Sequence, residues 1–520
     1  MRSPLRTKAG RYSRVSVSVS LPSPTGGWNT RDALQDMKPN YAVQLDNWWT
    51  NTTFCEVRGG MSSHATGMTG NGKTLAVYNA MDGTNKMFCL TSSGTYDVSA
   101  SGAVGASSAA RTNGKHQWVN FGDGTNHYLI LANGVDKPLY YNGTTWTAVD
   151  AASTPALTGL TTTSIVSVFV FKGRLIFIEK DSLSFWYLPS GAAGGVLTEF
   201  DLSRVARHGG YIMAGSAWTF DGGSGPDDRC VFITSEGEAI VYQGTNPGSA
   251  SEWALVGIYD IGKPLGRRCM NKYGGDLVVL TQSGIYPLSQ ALQSASVSDR
   301  TAITDIINSA FSDSARSYGS AFGWEITFHP VRNCMIVNVP IAEDGTHHQY
   351  CMNIITKAWC RFIGWDAETF AVYNNNLYYA DGTAVYKAWT GTSDNGVGVN
   401  AYGKCAFSYL NNNGVQKRVA MFKPVLSVDG SIDYLTGIDI DFKDAEITGA
   451  ASYQSSSGSL WDTALWDVNT WGGGMEIVNK WTSPRANIGY AVSGKLKVQT
   501  VYRVIQWMAC EYIYETGGPL

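Results

Sequence analysis

The chain has 520 residues, 16% of them charged, with a net charge of −3, 58 glycines and 17 tryptophans. So little charge beside so many aromatic and turn-forming residues excludes a disordered chain. The near balance of charge excludes a global field that draws the molecule to nucleic acid or anionic lipid. This length allows about three domains, or fewer if one large β architecture takes most of the chain.

Nine cysteines (Cys55, Cys89, Cys230, Cys269, Cys334, Cys351, Cys360, Cys405, Cys510) are scattered, odd in number and without a C-x-x-C pair. That is no disulfide framework; it implies buried free thiols in a reducing environment. No apolar run reaches the roughly 18 residues of a membrane span. The N-terminus is basic but lacks a signal-peptide core, so a soluble product of a cytoplasm is expected.

Residues 1–14 carry Arg2, Arg6, Lys8, Arg11 and Arg14, and no acid precedes Asp32. This reads as a basic arm, either docking on a partner or simply solvated. Val15 to Ser20 alternates as a strand does, and Pro22 to Gly27 marks a loop. Short helical turns are expected over residues 31–49, where Ala42, Leu45 and Trp48 or Trp49 have helical spacing.

From about residue 70, short β-rich runs alternate with tight turns. Asp82-Gly83 separates Thr74–Tyr78 from Lys86–Leu90, and Asp123-Gly124 separates Gln117–Phe121 from His127–Leu131. Asp-Gly pairs supply the positive φ angles that close two-residue hairpins. Val168–Phe171, Arg174–Ile178 and Leu183–Tyr187 form a three-stranded meander about Lys172-Gly173. The runs group into about six units, over residues 74–100, 116–150, 164–203, 211–260, 267–290 and 321–390. Radial repetition of small antiparallel sheets is a β-propeller, here an irregular array with insertions. One helix interrupts it near 301–318, where Ile303, Ile306, Ile307, Ala310 and Phe311 fall on one face.

Trp389 to Asn400 reads as a linker. Beyond it, strands are expected at Val419–Val428, Gly437–Lys443, Leu496–Arg503 and Ile505–Tyr514, with Pro424 marking an edge or a bulge. The expected organisation is all-β: a basic arm and loop over 1–30, a propeller-like domain over 31–395, and a C-terminal β-sandwich over 396–520.

Several residue patterns hold chemically competent side chains. Gly67-Met68-Thr69-Gly70-Asn71-Gly72-Lys73-Thr74 fits G-x-x-x-x-G-K-[ST], but a phosphate-binding loop needs a buried strand before it and a helix after it. Here a β-rich run follows, and Gly59 to His64 is no apolar strand, so the match reads as chance. His347, His348 and Cys351 are soft ligand types without a second half to complete a tetrahedral set. Glu179 with Asp181, and Asp227 with Asp228, are close carboxylates of the kind expected on turns. Asn142-Gly143-Thr144-Thr145-Trp146 keeps only the end of the sialidase turn S-x-D-x-G-x-T-W, with Tyr141 where that turn has Asp. Trp461, Trp466 and Trp471 recur at a spacing that neither a helix nor a strand places on one face. Exposed, they would grip a sugar, a lipid or another subunit; otherwise they pack the core of the C-terminal domain. No catalytic, cofactor-binding or metal-ligating set is therefore expected.

Pro24-Thr25-Gly26-Gly27-Trp28-Asn29, then Met37-Lys38-Pro39, Ala42, Leu45-Asp46-Asn47 and Val57-Arg58-Gly59-Gly60, resembles the opening of tail proteins from short-tailed bacteriophages. Trp359 to Ala367, Leu377 to Gly382, Gln416-Lys417-Arg418, Pro424 and the Trp461/Trp466/Trp471 run are similar to them as well. The resemblance implies a tail nozzle or tail-hub component of the virion with no catalysis. Such a protein forms a homo-oligomeric ring, usually a hexamer, below the portal and its adaptor. Double-stranded DNA passes through that ring without sequence recognition, fibres or spikes attach to it, and no stable membrane insertion is implied. The competing expectation is a receptor-binding or depolymerising propeller that grips glycan through Trp and carboxylates.

Overall fold

The computed structural model describes residues 16–221, 226–293, 302–430, 432–445, 447, 475–483 and 488–516. The chain divides into two compact units, one of residues up to 57 and from 398 onward, the other of residues 58–397.

The unit of residues 58–397 is the propeller. Five of its blades are separate antiparallel sheets of three or four strands. The first is Gly72–Tyr78, Lys86–Thr91 and Thr95–Asp97; the second runs from Gln117–Gly122 to Trp146–Ala148. The third spans Ile165–Phe171 to Thr198–Asp201, the fourth Ile212–Asp221 to Trp253–Asp260, and the fifth Met270–Tyr273 to Gly284–Pro287. Two further antiparallel sets complete the circuit. One holds Glu325–His329, Cys334–Pro340, His347–Asn353 and Trp359–Ile363. The other holds Thr369–Tyr373, Asn376–Asp381 and Ala384–Ala388. The first strand of each set packs on the first strand of the next, and Thr369–Tyr373 packs back on Gly72–Tyr78. The last set is finished by Met61–Thr66, which pairs antiparallel with Ala384–Ala388. A strand from before the first blade thus closes the ring.

The hairpins form where turn chemistry dictates. Lys172 and Gly173 both have positive φ (45° and 71°), the requirement of a type I′ turn. Between the third and fourth blades the core is aromatic: Phe185 stacks on Phe232 across them at 4.5 Å, and Tyr242 on Trp253 within the fourth at 5.2 Å. Each such side chain contributes about 1.5–3 kcal/mol by leaving water. The expected run at 321–390 proves to be two sets, because the chain turns out of Trp359–Ile363 at Gly364, whose φ is +89°. The expected helix is present as a 3-10 turn, Asp305–Ile307, followed by α-helix Asn308–Tyr318, with Ile307, Phe311 and Ala315 buried.

The ends of the propeller are clasped. Arg58, 2% exposed, donates from Nη1 and Nη2 to the two carboxylate oxygens of Asp394 at 2.8 and 2.7 Å, and lies over Trp365 at 4.7 Å. A Cβ on Gly60 would stand 1.9 Å from the Ser393 carbonyl oxygen, so only glycine permits this approach.

The other unit is a β-sandwich. One sheet pairs Ser16–Pro22 with Ile505–Thr516, which pairs in turn with Lys417–Val428 and Cys55–Val57. The second pairs Tyr41–Asp46 with Val397–Cys405, then Val492–Thr500, then Tyr434–Ile440. Their faces meet closely: Cys405 Sγ is 3.7 Å from Cys510 Sγ, and a Cβ on Gly403 would reach 2.5 Å from Trp507, which packs on Trp48 of its own sheet at 5.3 Å.

Three expectations are corrected. Residues 31–57 belong to the sandwich unit rather than the propeller, and residues 31–49 form strands Tyr41–Asp46 and Trp48–Thr50 rather than helical turns. Backbone pairing with Val397–Cys405 overrides the local spacing. The span taken as an arm and loop likewise contributes a strand, Ser16–Pro22; its basic residues 1–14 lie outside the described residues. Pro424 sits in a central strand at a bulge, not at an edge, since the register shifts between Val425 and Leu426.

Candidate binding site at the propeller axis

The inner strands of the blades bring charged side chains to the propeller axis. Lys73 begins the first blade, Lys115 and His116 precede the second, and Arg267 and Arg268 precede the fifth. Glu325 opens its strand, and Glu368 precedes Thr369–Tyr373. These positions are far apart in sequence and meet only because the ring closes.

Arg268 joins most of them. Its Nη1 donates to Glu325 Oε2 and to Thr369 Oγ1, both at 2.9 Å. Its Nη2 donates to the carbonyl oxygens of Lys73 and His116 at 3.0 and 3.2 Å, and to Thr74 Oγ1 at 2.7 Å. Glu325, 5% exposed, also accepts from the Phe370 amide at 2.6 Å. The planar guanidinium fork suits such multidentate bonding, which a lysine could not reproduce.

A second network surrounds Lys73, whose Nζ is 2.7 Å from Asp344 and 3.0 Å from Glu368. Burial works against the Lys73 ammonium, but its bonds to Asp344 and Glu368 hold its pKa above the usual lysine value. Lys115 pairs with Glu343 at 2.5 Å and holds that carboxyl below its usual range. Phe322 lies among these cations, with Lys115 Nζ at 4.8 Å, Arg268 Cζ at 5.0 Å and Lys73 Nζ at 5.7 Å from its centroid. The negative face of the ring attracts them. His116 is 1% exposed, and burial, with Arg111 and Arg268 nearby, pushes its pKa down to about 4. Asp381 goes the other way: burial and the carboxylates of Asp366 and Glu368 raise it to about 6.

Two cavities lie along the axis. The larger, about 540 Å³, is lined by Lys115, Lys180, Tyr211, Arg267, Phe322 and Glu343 among others. The smaller, about 270 Å³, is lined by Trp118, Phe169, Glu325 and Phe370 among others. Gln117, Arg267 and Arg268 line both. A largely buried ion pair, Arg268 with Glu325, therefore stands beside both cavities.

The motif residues fall as follows. Thr74 and Lys73 lie on a buried strand, Gly72–Tyr78, not at a helix start, and the Lys73 ammonium is held by carboxylates. The segment before them is a strand after all, Met61–Thr66, but a half-exposed outer one. His347 and Cys351 lie on one face of His347–Asn353 and His348 on the other, so they do not converge. His347 Nδ1 contacts the Gly345 carbonyl at 2.8 Å. Glu179 accepts from Trp186 Nε1 at 3.1 Å, and Asp228 lies 3.7 Å from Lys172 Nζ. Trp146 packs edge-on to Phe88 at 4.9 Å. Trp461, Trp466 and Trp471 lie outside the described residues.

Sequence reasoning missed Arg268, Glu325 and Lys115, since no local signal ties them together. It also missed His208, Glu238 and Asp260, the one grouping of three metal-ligand side chains among the described residues. There Glu238 already accepts from the amides of Arg207 and His208, and His208 Nε2 is 3.1 Å from Asp260.

No protein-family model and no curated protein matches the chain. Among solved structures, BBS1N in complex with ARL6DN is 10% identical, covering 65% of this chain and 99% of that one, with a TM-score of 0.39. The Neurospora crassa Pan2 WD40 domain is 8% identical, covering 64% of this chain and 97% of that one, with a TM-score of 0.38. YCF48 bound to D1 peptide is 9% identical, covering 67% of this chain and 98% of that one, with a TM-score of 0.33. The propeller itself follows from the strand pairing described above.

Proposed function

We propose that the chain is a structural component of a bacteriophage tail, a nozzle or hub subunit that works by assembling with copies of itself. The observation that carries this reading is what the resemblance-bearing residues do in the fold. Arg58, Gly60 and Trp365 belong to the clasp of the propeller, where Arg58 pairs with Asp394 outside the pattern. In the sandwich, Trp28 Nε1 donates to the Val43 carbonyl at 3.1 Å, and Asn29 Oδ1 accepts from the amides of Arg31 and Asp32 at 3.0 Å. A pattern built from buried scaffold residues fits a protein whose task is to hold shape.

The bonding of Arg268 bears on where DNA would run. Arg268 bonds near the propeller axis to Glu325, Thr369, Lys73, Thr74 and His116, and in this reading the DNA channel is formed between subunits of the ring. The near-neutral chain suits such a channel, because dense Lys and Arg contacts would make each phosphate a brake. Partners in this reading are other copies, the portal-side adaptor, and fibres or spikes.

The test is assembly. The purified chain, alone and co-expressed with the adaptor of the same phage, is examined by native mass spectrometry and negative-stain imaging. A closed ring is expected, with six copies the leading stoichiometry. A chain that stays monomeric at tens of micromolar in both preparations overturns the proposal.

A further inference from the structure

We propose that the larger axial cavity is a binding site for a sugar-sized oxyanion, a carboxylate or phosphate group carried on a small polar body. This stands apart from the tail reading and does not depend on it.

The charge in the cavity is strongly one-sided. Lys115, Lys180, Arg267 and Arg268 line it against a single carboxylate, Glu343, in a chain whose net charge is −3. Two of these cations are already satisfied: Lys115 by Glu343 at 2.5 Å, and Arg268 by Glu325 at 2.9 Å. Lys180 and Arg267 have no carboxylate partner within salt-bridge distance among the described residues.

Arg267 is held in position by its Nη1, which donates to the carbonyls of Ile212 and Met213 at 3.2 and 3.0 Å, and by the Tyr211 ring at 5.5 Å. No described residue accepts from its Nε or Nη2. A fixed guanidinium with open donors, near a second cation, is arranged for the charge-assisted bonds that carboxylate and phosphate oxygens accept. The Gln117 side-chain amide and the Tyr211 hydroxyl also line the cavity, and no described residue pairs with either. They offer neutral contacts for a polar body. A volume of about 540 Å³ holds a monosaccharide-sized guest and its water.

The test is calorimetric titration of the intact chain at low salt with sodium D-glucuronate, with inorganic phosphate, and with glucose as the neutral control. Saturable binding of glucuronate or phosphate, and none of glucose, is expected. Whichever of the two anions binds more tightly identifies the source of the oxyanion. Lys180→Gln and Arg267→Gln are each expected to weaken binding tenfold or more. Lys172→Gln, on a turn outside the cavity, should leave it unchanged. Should Arg267→Gln fail to fold, Lys180→Gln decides, because Lys180 is exposed and its loss leaves the core intact. No saturable heat with either anion, or unchanged affinity in Lys180→Gln, overturns the proposal.

Discussion

Arg268 and Glu325, 57 residues apart in sequence, are joined by a 2.9 Å charge-assisted hydrogen bond at the propeller axis. Both are largely buried, so truncating one leaves the other without compensation. Arg268→Ala is expected to destabilise the propeller by about 3–5 kcal/mol. Arg268→Met combined with Glu325→Leu should recover much of that loss, because an apolar pair leaves no buried charge. Urea unfolding followed by tryptophan fluorescence measures both; equal losses in the single and double variants would show that the ion pair is not what holds the axis.

Lys73 provides a separate check, since it closes a nucleotide-loop pattern yet pairs with acids. Lys73→Ala should lower stability by about 2–4 kcal/mol, because Glu368, 2% exposed, loses its cation. Magnesium-ATP should not shift the melting temperature of the unmodified chain. A nucleotide-dependent rise that disappears in Lys73→Ala would contradict the strand assignment.

Acid should reveal two opposed titrations. His116 stays neutral in the fold down to about 4, against 6.5 when unfolded. The unfolded chain therefore takes up the proton first, and stability falls as pH drops from about 6.5 to 4, by up to about 3 kcal/mol. Asp381 has its folded pKa raised to about 6 from 3.8. Its contribution is present in full below 3.8 and is lost as pH rises through 6. Asp381→Asn should thus stabilise the chain at pH 7.5, by about 1 kcal/mol after allowance for solvent screening, and have no effect at pH 4. His116→Leu should flatten the acid limb. Melting temperatures between pH 8 and 4 check both signs.

All nine cysteines are free and buried. Burial pushes the thiols of Cys89 and Cys269 up to about 12, so the reactive thiolate is scarce at neutral pH. Ellman's reagent should label none quickly in the native chain and all nine in guanidinium chloride. A fast-reacting thiol in the native state would show a locally open blade or sheet.

The sandwich offers a packing test. A methyl group at Gly403 would lie 2.5 Å from Trp507, between two sheets with no room to part. Gly403→Ala should cost about 1–3 kcal/mol by overpacking. Gly83→Ala, with open space around it, should act through its positive φ of 80° and cost about 1 kcal/mol. Denaturant midpoints of the two variants distinguish crowding from backbone strain.

Hairpins were the most legible part of the sequence, because Asp-Gly and Lys172-Gly173 act through local backbone geometry. The helix was legible because Ile307, Phe311 and Ala315 keep one face over successive turns. Tyr41–Thr50 was not, for two physical reasons. A bulge between Ala42 and Gln44 shifts the phase, and Asn47, at φ +58°, turns the chain from one sheet to the other. Alternation broken twice leaves Ala42, Leu45 and Trp48 at helical spacing. Met61–Thr66 escaped notice because an outer strand, half exposed, can be Ser-Ser-His. The axial site could not be read at all. Lys73, Lys115, Arg268, Glu325 and Glu368 have nothing in common locally, and only ring closure brings them within bonding distance.

The clasp has a consequence for modularity. The Asn395 amide donates to the Met61 carbonyl at 2.8 Å, and the Gly60 amide to the Gly391 carbonyl at 3.0 Å. The chain therefore enters and leaves the propeller side by side, so residues 58–397 behave as a cassette spliced into the sandwich sequence at a single point. A cassette with adjoining ends can be exchanged for any closed fold whose termini also touch, which would let the two halves diversify at independent rates.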